Sequence, residues 1–465
     1  MTTHGQALIR VGVDGFNLGM REGTGVATYA RSLAEACHEL GRPVDLVYGL
    51  NVPASAPPEQ RETLFFSALA QTQAPTGQAP RASTVRKIRR LLLRPGVREL
   101  VEVPASGRVI RKGFAQRVPA YDRLFTFNAL FTLGERYFRR FGRLMPVSVP
   151  QPPEIMHWTY PVPVRMVGSR NVYTIHDLVP LRLPFLSLED KRYHERLLHA
   201  CIAHAAHVLT VSEHSRSDIL NFLPIAPDHV TNTYQALPPH RGAERSNEEL
   251  ARNLRAIFNL EAGGYFLYFG AIEPKKNVGR LIEGYLSSAL DTPLVIAGPD
   301  AWGAAEELQL LDGDGAARAR QAGRLRRVGY VPTEHLEQLV AGARAVIFPS
   351  LYEGFGLPAL EAMSAGAPLI YGSEGALPEI VGAAGVMIDP YDVDAIGRAL
   401  LALDQDERLR SDLKSAGGLR ALDFTMPQYR ARIDAIHKQL IHDAPRPGRA
   451  SIFPKTPNTL SGELT

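Results

Sequence analysis

Strand and helix signals alternate along two separate stretches of the chain, and this alternation restricts the fold to a parallel α/β architecture. In the first stretch the predicted strands are residues 9–15, 46–50, 154–158, 171–176 and 207–212. In the second stretch they are residues 265–270, 293–298, 325–331, 345–350, 367–372 and 386–389. Two doubly wound sheets joined once would place a cleft at the carboxyl ends of their strands, where open α/β sheets bind ligands.

The 465 residues exceed what one hydrophobic core usually serves, so we expect two main domains joined by the polar stretch 238–262. The predicted boundaries are 1–240 for the first domain and 262–424 for the second. Residues 425–442 should form a helix that crosses back to the first domain, and 443–465 a disordered tail. Residues 51–150, rich in proline and then arginine, are interpreted as an irregular elaboration of the first domain.

Composition excludes several classes of protein. Hydrophobic residues make up 45% and charged residues 22% of the chain, which is typical of a globular protein and excludes wholesale disorder. The two cysteines, Cys37 and Cys201, exclude a disulfide framework and a cysteine-based zinc module. No apolar run is long enough to span a bilayer, and residues 1–15 lack a signal-peptide core. We therefore expect a cytoplasmic protein.

The charge is spread unevenly. Between Arg81 and Arg143, 16 Lys and Arg oppose four acids, an excess of +12 that leaves −8 for the rest of a chain with net charge +4. The segment 83–94 spaces apolar residues on one helical face with cations around them, as interfacial helices do. An anionic membrane surface or nucleic acid would suit this segment. The candidate membrane-binding residues are Arg86, Lys87, Arg89 and Arg90.

The strongest local motif is residues 348–368, a strand, a turn and a helix. The strand ends at Ser350, and the loop after it carries Glu353. Glycines at 354 and 356 permit a tight turn, and the helix that follows offers free amides and a positive dipole to an anion. Glu361 lies one turn into this helix. The arrangement predicts a phosphate site with a carboxylate on either side.

This motif resembles the EX7E motif of family 4 glycosyltransferases, which are retaining enzymes of the GT-B fold with two Rossmann-like domains. Further similar segments are residues 23–33, 173–184, 269–277 and 329–336, so the resemblance covers about 8–50 and 154–440. Within that family the chain is most similar to bacterial envelope polysaccharide and lipopolysaccharide mannosyltransferases. The resemblance implies an acceptor-side first domain and a second domain that binds a nucleotide sugar.

The resemblance also assigns roles to residues of the second domain. Glu353 would contact hydroxyls of the donor sugar, and Glu361 would hold the ribose. Val331 would touch the nucleobase through its backbone. The donor diphosphate would bind to the backbone amides of Gly354, Phe355, Gly356 and Leu357.

Two lysines that follow the first predicted strand of the second stretch are further candidates for the same site. Lys275 and Lys276 lie in PKKN (274–277), which we predict to open a helix capped by Asn277, so that both cations face the leaving diphosphate. In the family the similar segment usually carries an arginine as well as a lysine, and many members have that arginine where this chain has Ala271. Lys275 could replace it, but an ammonium group lacks the bidentate geometry of a guanidinium, so Lys276 is the stronger candidate. Two solvated loop lysines are the alternative.

In the first domain, Gly25 of the GTG turn is a candidate amide donor to the donor phosphate, although the turn could serve chain reversal alone. His176, in YTIHD, ends a predicted strand, and the resemblance implies that it contacts the sugar. A hydrogen-bonded histidine without such a role is the alternative. His157 and Trp158 are weaker candidates for shaping an acceptor pocket.

We expect a metal-independent hexosyltransferase without a cofactor, which uses a nucleotide sugar, GDP-mannose or a UDP-hexose, and acts with retention on a lipid-linked or cell-envelope glycan. Mannose from GDP-mannose is the leading donor, and the location would be peripheral on the inner face of the cytoplasmic membrane. A soluble enzyme making a disaccharide or storage glycan is one alternative. The other is a non-catalytic nucleic-acid-binding protein, although the expected partners do not include nucleic acid.

Overall fold

A computed structural model describes residues 9–20, 25–72, 95–188, 190–237 and 246–442. These residues form two α/β halves, each built around an open, largely parallel sheet of short strands. The predicted strands of both series are confirmed, with ends that differ by a few residues.

The first sheet has eight strands in the order β11-β10-β9-β7-β1-β2-β5-β4, and only β4 among them runs antiparallel to its neighbour. Three short strands form a separate parallel sheet in the order β3-β6-β8. The strands are β1 Val11–Asp14, β2 Val44–Tyr48, β3 Arg98–Glu99, β4 Val101–Glu102, β5 Arg123–Thr126, β6 Met145–Ser148, β7 Ile155–Trp158, β8 Val164–Met166, β9 Arg170–Thr174, β10 His207–Thr210 and β11 Val230–Asn232. The helices of this half are α1 Gly25–Glu39, α2 Pro58–Gln71, α3 Leu130–Phe141, α4 Val179–Arg182, α5 Lys191–His204 and α6 Glu213–Phe222.

The second sheet is parallel throughout, with the order β14-β13-β12-β15-β16-β17. Its strands are β12 Phe266–Phe269, β13 Leu294–Ala297, β14 Leu325–Val328, β15 Ala345–Phe348, β16 Leu369–Gly372 and β17 Gly385–Ile388. The remaining helices are α7 Asn247–Asn253, α8 Val278–Ser287, α9 Ala304–Glu307, α10 Asp314–Gln321, α11 Thr333–Ala341, α12 Leu357–Ser364, α13 Leu377–Val381, α14 Val393–Gln405, α15 Glu407–Ala421 and α16 Met426–His442. Counted within this half, the order is 3-2-1-4-5-6, the Rossmann arrangement, whose topological switch point lies between β12 and β15.

The described parts of residues 51–150, which are 51–72 and 95–150, are more regular than the sequence suggested. β5 pairs in parallel with β2 and extends the main sheet, so part of this stretch belongs to the domain core and is not an irregular elaboration. Phe125 of β5 and Leu130 of α3 are fully buried in the same apolar cluster as the neighbouring strands. The segment was missed because β5 has only four residues and α3 carries three arginines, two of them exposed, among its apolar residues.

The last described helix, α16, packs on α1 of the first half of the chain. Its apolar residues Tyr429, Ile433 and Ile436 recur every three or four positions and are buried, which is the spacing of one helical face. Arg430 of α16 also forms an ion pair with Glu39 at 2.7 Å. The helix therefore ties the end of the second half of the chain to the first.

Candidate active site

The centre of the site lies at the switch point of the second sheet, where the loops after β12 and β15 meet. The loop after β12 carries Lys275 and Lys276 in a short 3-10 turn, Pro274–Lys276, and the loop after β15 carries Glu353. The two loops are joined by a backbone hydrogen bond, in which the amide of Leu351 donates to the carbonyl of Lys275 at 2.8 Å. The crevice at this point is where a doubly wound sheet binds its ligand.

Glu353 is held by two partners. Its Oε1 accepts hydrogen bonds from Lys276 Nζ and from Ser350 Oγ, both at 2.7 Å. Burial raises the pKa of Glu353, but Lys276 and Lys275 together outweigh burial, and the pKa lies below the ordinary value. The carboxylate is therefore ionised at neutral pH, and it can accept hydrogen bonds from sugar hydroxyls.

Lys275 lies among three carboxylates. Its Nζ is 3.4 Å from Glu273 Oε1, and Asp177 of the first half of the chain and Glu353 are also near. Burial lowers the pKa of Lys275, but these carboxylates raise it above the ordinary value. The site thus holds two lysines beside carboxyl groups of the protein, and an incoming diphosphate would compete with those carboxyl groups for the lysine side chains.

The helix after these lysines, α8, does not begin as predicted. Asn277 occupies the N-cap position in a left-handed conformation, but its side chain does not cap the helix. Its Nδ2 donates instead to the carbonyls of Pro349 and Pro390, at 3.0 and 2.7 Å. The Gly279 amide is bound by the Glu307 carboxylate at 2.8 Å, so a carboxylate of the protein already occupies this helix N-terminus. The Gly279 amide is therefore not available to a ligand anion, which leaves the two lysine side chains as the candidate anion-binding groups here.

The N-terminus of α12 differs, because its amides remain available. Gly356 has a φ of +97°, and a Cβ there would lie 2.6 Å from Leu377, so the turn requires glycine. Over the described ranges, the amides of Phe355, Gly356 and Leu357 have no acceptor. The side chain of Phe355 is buried and packs edge-on against Phe424 at 5.8 Å, which fixes the backbone that presents these amides. The geometry is that of an anion site.

Glu361 lies on α12, one turn beyond these amides. Its carboxylate is half-buried and has no hydrogen-bond partner among the described residues. Burial and the nearby Glu337 raise the pKa of Glu361 to about 7. A carboxyl group in this state is available to a ligand, and its charge responds to pH near neutrality.

His176 contributes from the first half of the chain. Its ring is 9% exposed and packs edge-on against Tyr29, with ring centroids 4.9 Å apart. Burial lowers the pKa of His176, so the imidazole is neutral. Because Nε2 lies 2.9 Å from the carbonyl of Thr159, that nitrogen carries the proton and donates it. The other ring nitrogen, Nδ1, is therefore an acceptor.

Gly354 brings the two halves of the site together. A Cβ at this position would lie 2.6 Å from the carbonyl oxygen of His176, so the two backbones are in direct contact and only glycine fits. The residue before Gly354 is Glu353. The candidates His176, Glu353 and Lys276, which are distant in sequence, are therefore neighbours across the contact between the two sheets.

Comparisons with known proteins identify the kind of enzyme to which this geometry belongs. The family model of glycosyl transferases group 1 matches residues 252–420. The chain is 37% identical over 262 residues to the O-antigen chain mannosyltransferase B of Escherichia coli, covering 55% of this chain and 67% of that protein. This chain belongs to the glycosyl transferases group 1 family.

A second relative and a solved structure agree with this assignment. The serotype-specific mannosyltransferase WbdA of Escherichia coli is 28% identical over 275 residues, which are 58% of this chain but only 33% of that protein. The sucrose-phosphate synthase of Thermosynechococcus elongatus superposes with a TM-score of 0.58 at 17% identity, over 94% of this chain and 100% of that one. At this low identity, the similarity to the sucrose-phosphate synthase shows the fold alone. The predicted GT-B fold and the prediction of a hexosyl-transferring enzyme are confirmed at the level of this family.

Other candidates of this glycosyltransferase lie nearby or outside the described residues. Gly25 is the exposed first residue of α1, and the rest of the GTG turn is outside the described ranges. Val331 is buried in the loop after β14, two strands from the switch point. Also outside the described ranges is the whole of the predicted membrane-binding set, Arg86, Lys87, Arg89 and Arg90.

In the described ranges no group of three or more His, Cys, Asp or Glu could hold a metal ion. Of the described helices, none combines the length and apolar character needed to cross a membrane.

His157 and Trp158 are core residues of this glycosyltransferase and do not shape a pocket. Trp158 is fully buried and donates from Nε1 to Asn171 at 2.8 Å. His157 is also fully buried, and its Nε2 lies 2.7 Å from Nε2 of His437 on α16. Both side chains are therefore engaged in packing within the first sheet and against the crossing helix.

Sequence reasoning missed several residues that shape the site. Ser350 was noted only as a strand end, although its hydroxyl binds Glu353. The loop around Glu353 is held to the first half by Ser212, which caps α6 and also donates to the carbonyl of Gly354 at 2.7 Å. No local signal could have revealed the second contact, because its partners are 142 residues apart.

Proposed function

We propose that this glycosyltransferase moves a hexose from a nucleotide sugar to a hydroxyl group of a lipid-linked or cell-envelope glycan, with retention of configuration. The observation that carries the proposal is the pairing of Lys276 with Glu353 at the switch point, directly beside the first-domain residue His176. A cation for a leaving diphosphate and a carboxylate for sugar hydroxyls thereby adjoin the free amides of α12.

The chemistry would proceed as a front-face displacement. The bond between the anomeric carbon and the diphosphate oxygen breaks, and a bond to the acceptor oxygen forms on the same face of the sugar. The acceptor hydroxyl proton passes to an oxygen of the leaving diphosphate. Lys276, Lys275 and the α12 amides would stabilise the negative charge that develops on that group. No step requires a bond between the sugar and a carboxylate of the protein.

The other site residues would orient the donor. Glu353, ionised and fixed by Ser350 and Lys276, would accept hydrogen bonds from sugar hydroxyls. His176 would accept one through Nδ1, since its Nε2 proton is committed to Thr159. Glu361 would bind the ribose hydroxyls, and the backbone near Val331 would face the nucleobase. We propose that these residues act without a metal ion or a cofactor.

Mannose from GDP-mannose is the proposed donor. The support is the similarity to two Escherichia coli proteins that are both named mannosyltransferases. A UDP-hexose remains the alternative, because a nucleobase read through backbone groups leaves no side-chain signature. A lipid-linked or cell-envelope glycan as acceptor is supported by the O-antigen role in the name of the first of these relatives.

The proposed location is the inner face of the cytoplasmic membrane, with anionic lipid as a partner. This part rests on the sequence pattern of 83–94. A soluble enzyme that makes a disaccharide or storage glycan is the competing interpretation, since it would use the same donor site. The non-catalytic nucleic-acid-binding alternative is set aside, because the chain belongs to an enzyme family.

A donor screen tests the proposal. Purified protein is incubated with GDP-mannose, UDP-glucose, UDP-galactose and other nucleotide sugars, with and without a short glycan acceptor, and released nucleotide is measured. We expect GDP release that increases with acceptor and an axial, retained linkage in the product by NMR. Glu353→Gln should lower turnover, whereas Glu283→Gln, an exposed residue of α8, should not. An inverted product would refute retention, and release of UDP alone would refute the donor.

A further inference from the structure

Glu353 is flanked by two residues that bind the opposite domain. The side chain of Glu353 contacts its own domain, through Lys276 and Ser350. The residue before it, Tyr352, donates its hydroxyl to Asp218 Oδ2 of α6 at 2.6 Å. The residue after it, Gly354, accepts hydrogen bonds at its carbonyl from α6 and its N-cap. The loop that carries the carboxylate is thus held from both sides by the first domain.

The Tyr352–Asp218 contact is buried and specific. Each residue is only 2% exposed. The second carboxylate oxygen of Asp218 is bound by Arg182 of α4, and His214 Nε2 lies 3.6 Å from Oδ2. Arg182 and His214 also pack on the ring of Tyr352, at 5.9 and 5.4 Å from its centroid. The ring of Tyr352 is therefore enclosed by first-domain residues, and its hydroxyl donates to a carboxylate oxygen that belongs to an ion pair.

Ser215 links this contact to His176. Its hydroxyl lies 2.9 Å from the carbonyl of His176 and 3.2 Å from the carbonyl of Gly354, so one donor bridges the two backbones. Ser212 donates to the same Gly354 carbonyl at 2.7 Å. Because Gly354 also touches the backbone of His176 directly, these bonds hold the loop of Glu353 against the residue that carries the imidazole.

A third contact reinforces the arrangement from the second domain. Glu379 of α13 reaches the N-terminus of α6, where its carboxylate accepts from the amides of Glu213 and His214 at 2.8 and 3.0 Å. An acid at a helix N-terminus is stabilising. Helix α6 therefore binds the second domain at two places: Asp218 accepts from Tyr352, and the first-turn amides of α6 donate to Glu379.

We propose that Tyr352 and Asp218 are positioning residues that lock the Glu353 loop onto the first domain, so that Glu353 and His176 act on one sugar. The inference rests on the proposed transfer reaction for its catalytic consequence. The nucleotide itself would be held mainly by residues of the second domain: the α12 amides, Glu361 and the backbone near Val331. Loss of the lock should therefore lower kcat and leave nucleotide binding nearly unchanged.

The test compares Tyr352→Phe with Tyr371→Phe. Tyr371 is also a buried tyrosine with one hydrogen bond, to the Gly382 carbonyl at 2.8 Å, but this bond lies within the second domain. We expect Tyr352→Phe to lower kcat ten- to a hundredfold and to change the Kd for GDP and UDP less than threefold. Tyr371→Phe should leave kcat within twofold of the wild-type value. Asp218→Asn should cost much less kcat in the Tyr352→Phe background than alone, because the two residues act through each other.

Small-angle scattering gives a readout that does not depend on the reaction. With saturating nucleotide, the radius of gyration of Tyr352→Phe should exceed those of the wild type and of Tyr371→Phe, since a lost lock lets the domains separate. An unchanged kcat in Tyr352→Phe, or a kcat loss matched by equal loss of GDP binding, would overturn the proposal. If the wild type transfers no sugar from any donor, the proposed function fails, and the scattering comparison alone decides the lock: an unchanged radius refutes it.

Discussion

Replacing Lys276 with methionine should destabilise the protein in a way that depends on pH. The pair Lys276–Glu353 has an N–O distance of 2.7 Å and side chains that are 17% and 13% exposed. Breaking a fully buried pair costs about 3–5 kcal/mol, and exposed pairs contribute about 0–1 kcal/mol. For this mostly buried pair we expect a loss of about 2 kcal/mol in the free energy of unfolding at pH 8.

The sign of the pH dependence follows from Glu353. In the wild type its pKa is lowered, so its contribution to stability is present above the unfolded-state pKa and is lost as the pH falls through the folded-state pKa. Without Lys276, burial is opposed only by Lys275 and Ser350, and the pKa of Glu353 should rise. The variant should then take up a proton on Glu353 between pH 8 and pH 5, and its deficit relative to the wild type should shrink.

Urea denaturation at pH 5 and pH 8 measures this effect. Glu353→Gln serves as the matched variant, because it removes the charge and keeps the shape, and its deficit should vary little with pH. The double variant Lys276→Met/Glu353→Gln should be more stable at pH 8 than the sum of the single effects predicts, since no unpaired charge remains. Turnover of Lys276→Met should fall about 10²–10³-fold, the usual effect of removing one group that stabilises developing charge. A pH-independent deficit with additive double-variant energies would refute this account of the pair.

Three further predictions concern the ribose, the metal and the membrane. Glu361→Ala should weaken nucleotide-sugar affinity by about 1–3 kcal/mol, the value of a lost charge-assisted hydrogen bond. Because the pKa of Glu361 is raised to about 7, wild-type affinity should increase between pH 6 and pH 8 as the carboxylate forms. Titration calorimetry would contradict this role if Glu361→Gln kept the same pH profile. Transfer should continue in excess EDTA, and an enzyme that is inactive in EDTA and restored by Mg²⁺ or Mn²⁺ would disprove metal independence. Finally, anionic liposomes should co-sediment the wild type more strongly at low salt, and should release the variant in which glutamine replaces Arg86, Lys87, Arg89 and Arg90, with donor hydrolysis preserved. Equal co-sedimentation of both proteins would remove the main support for a membrane partner.

Much of the donor half of the site could be predicted from local sequence. The motif from Ala345 to Glu361 combines a buried strand, a glycine turn and a first-turn proline within 17 residues. Such short-range features are set by local backbone sterics and hydrogen bonding, so they depend little on contacts with distant parts of the chain. The alternation of strands and helices is local in the same sense, and it indicated both sheets.

Only the tertiary structure decided which of the polar residues meet. The N-terminus of α8 is capped by Glu307 and not by Asn277, because a carboxylate from another helix lies within 2.8 Å of the Gly279 amide. Likewise, Tyr352 finds its acceptor 134 residues away on α6. Residues 51–150 looked irregular because β5 is too short to be recognised alone and becomes a strand by pairing with β2. These outcomes depend on contacts between distant segments, whose energies no local pattern encodes. Local sequence therefore determined the two sheets and the glycine turn before α12, while packing of one domain against the other determined that the loop of Glu353 lies against the backbone of His176.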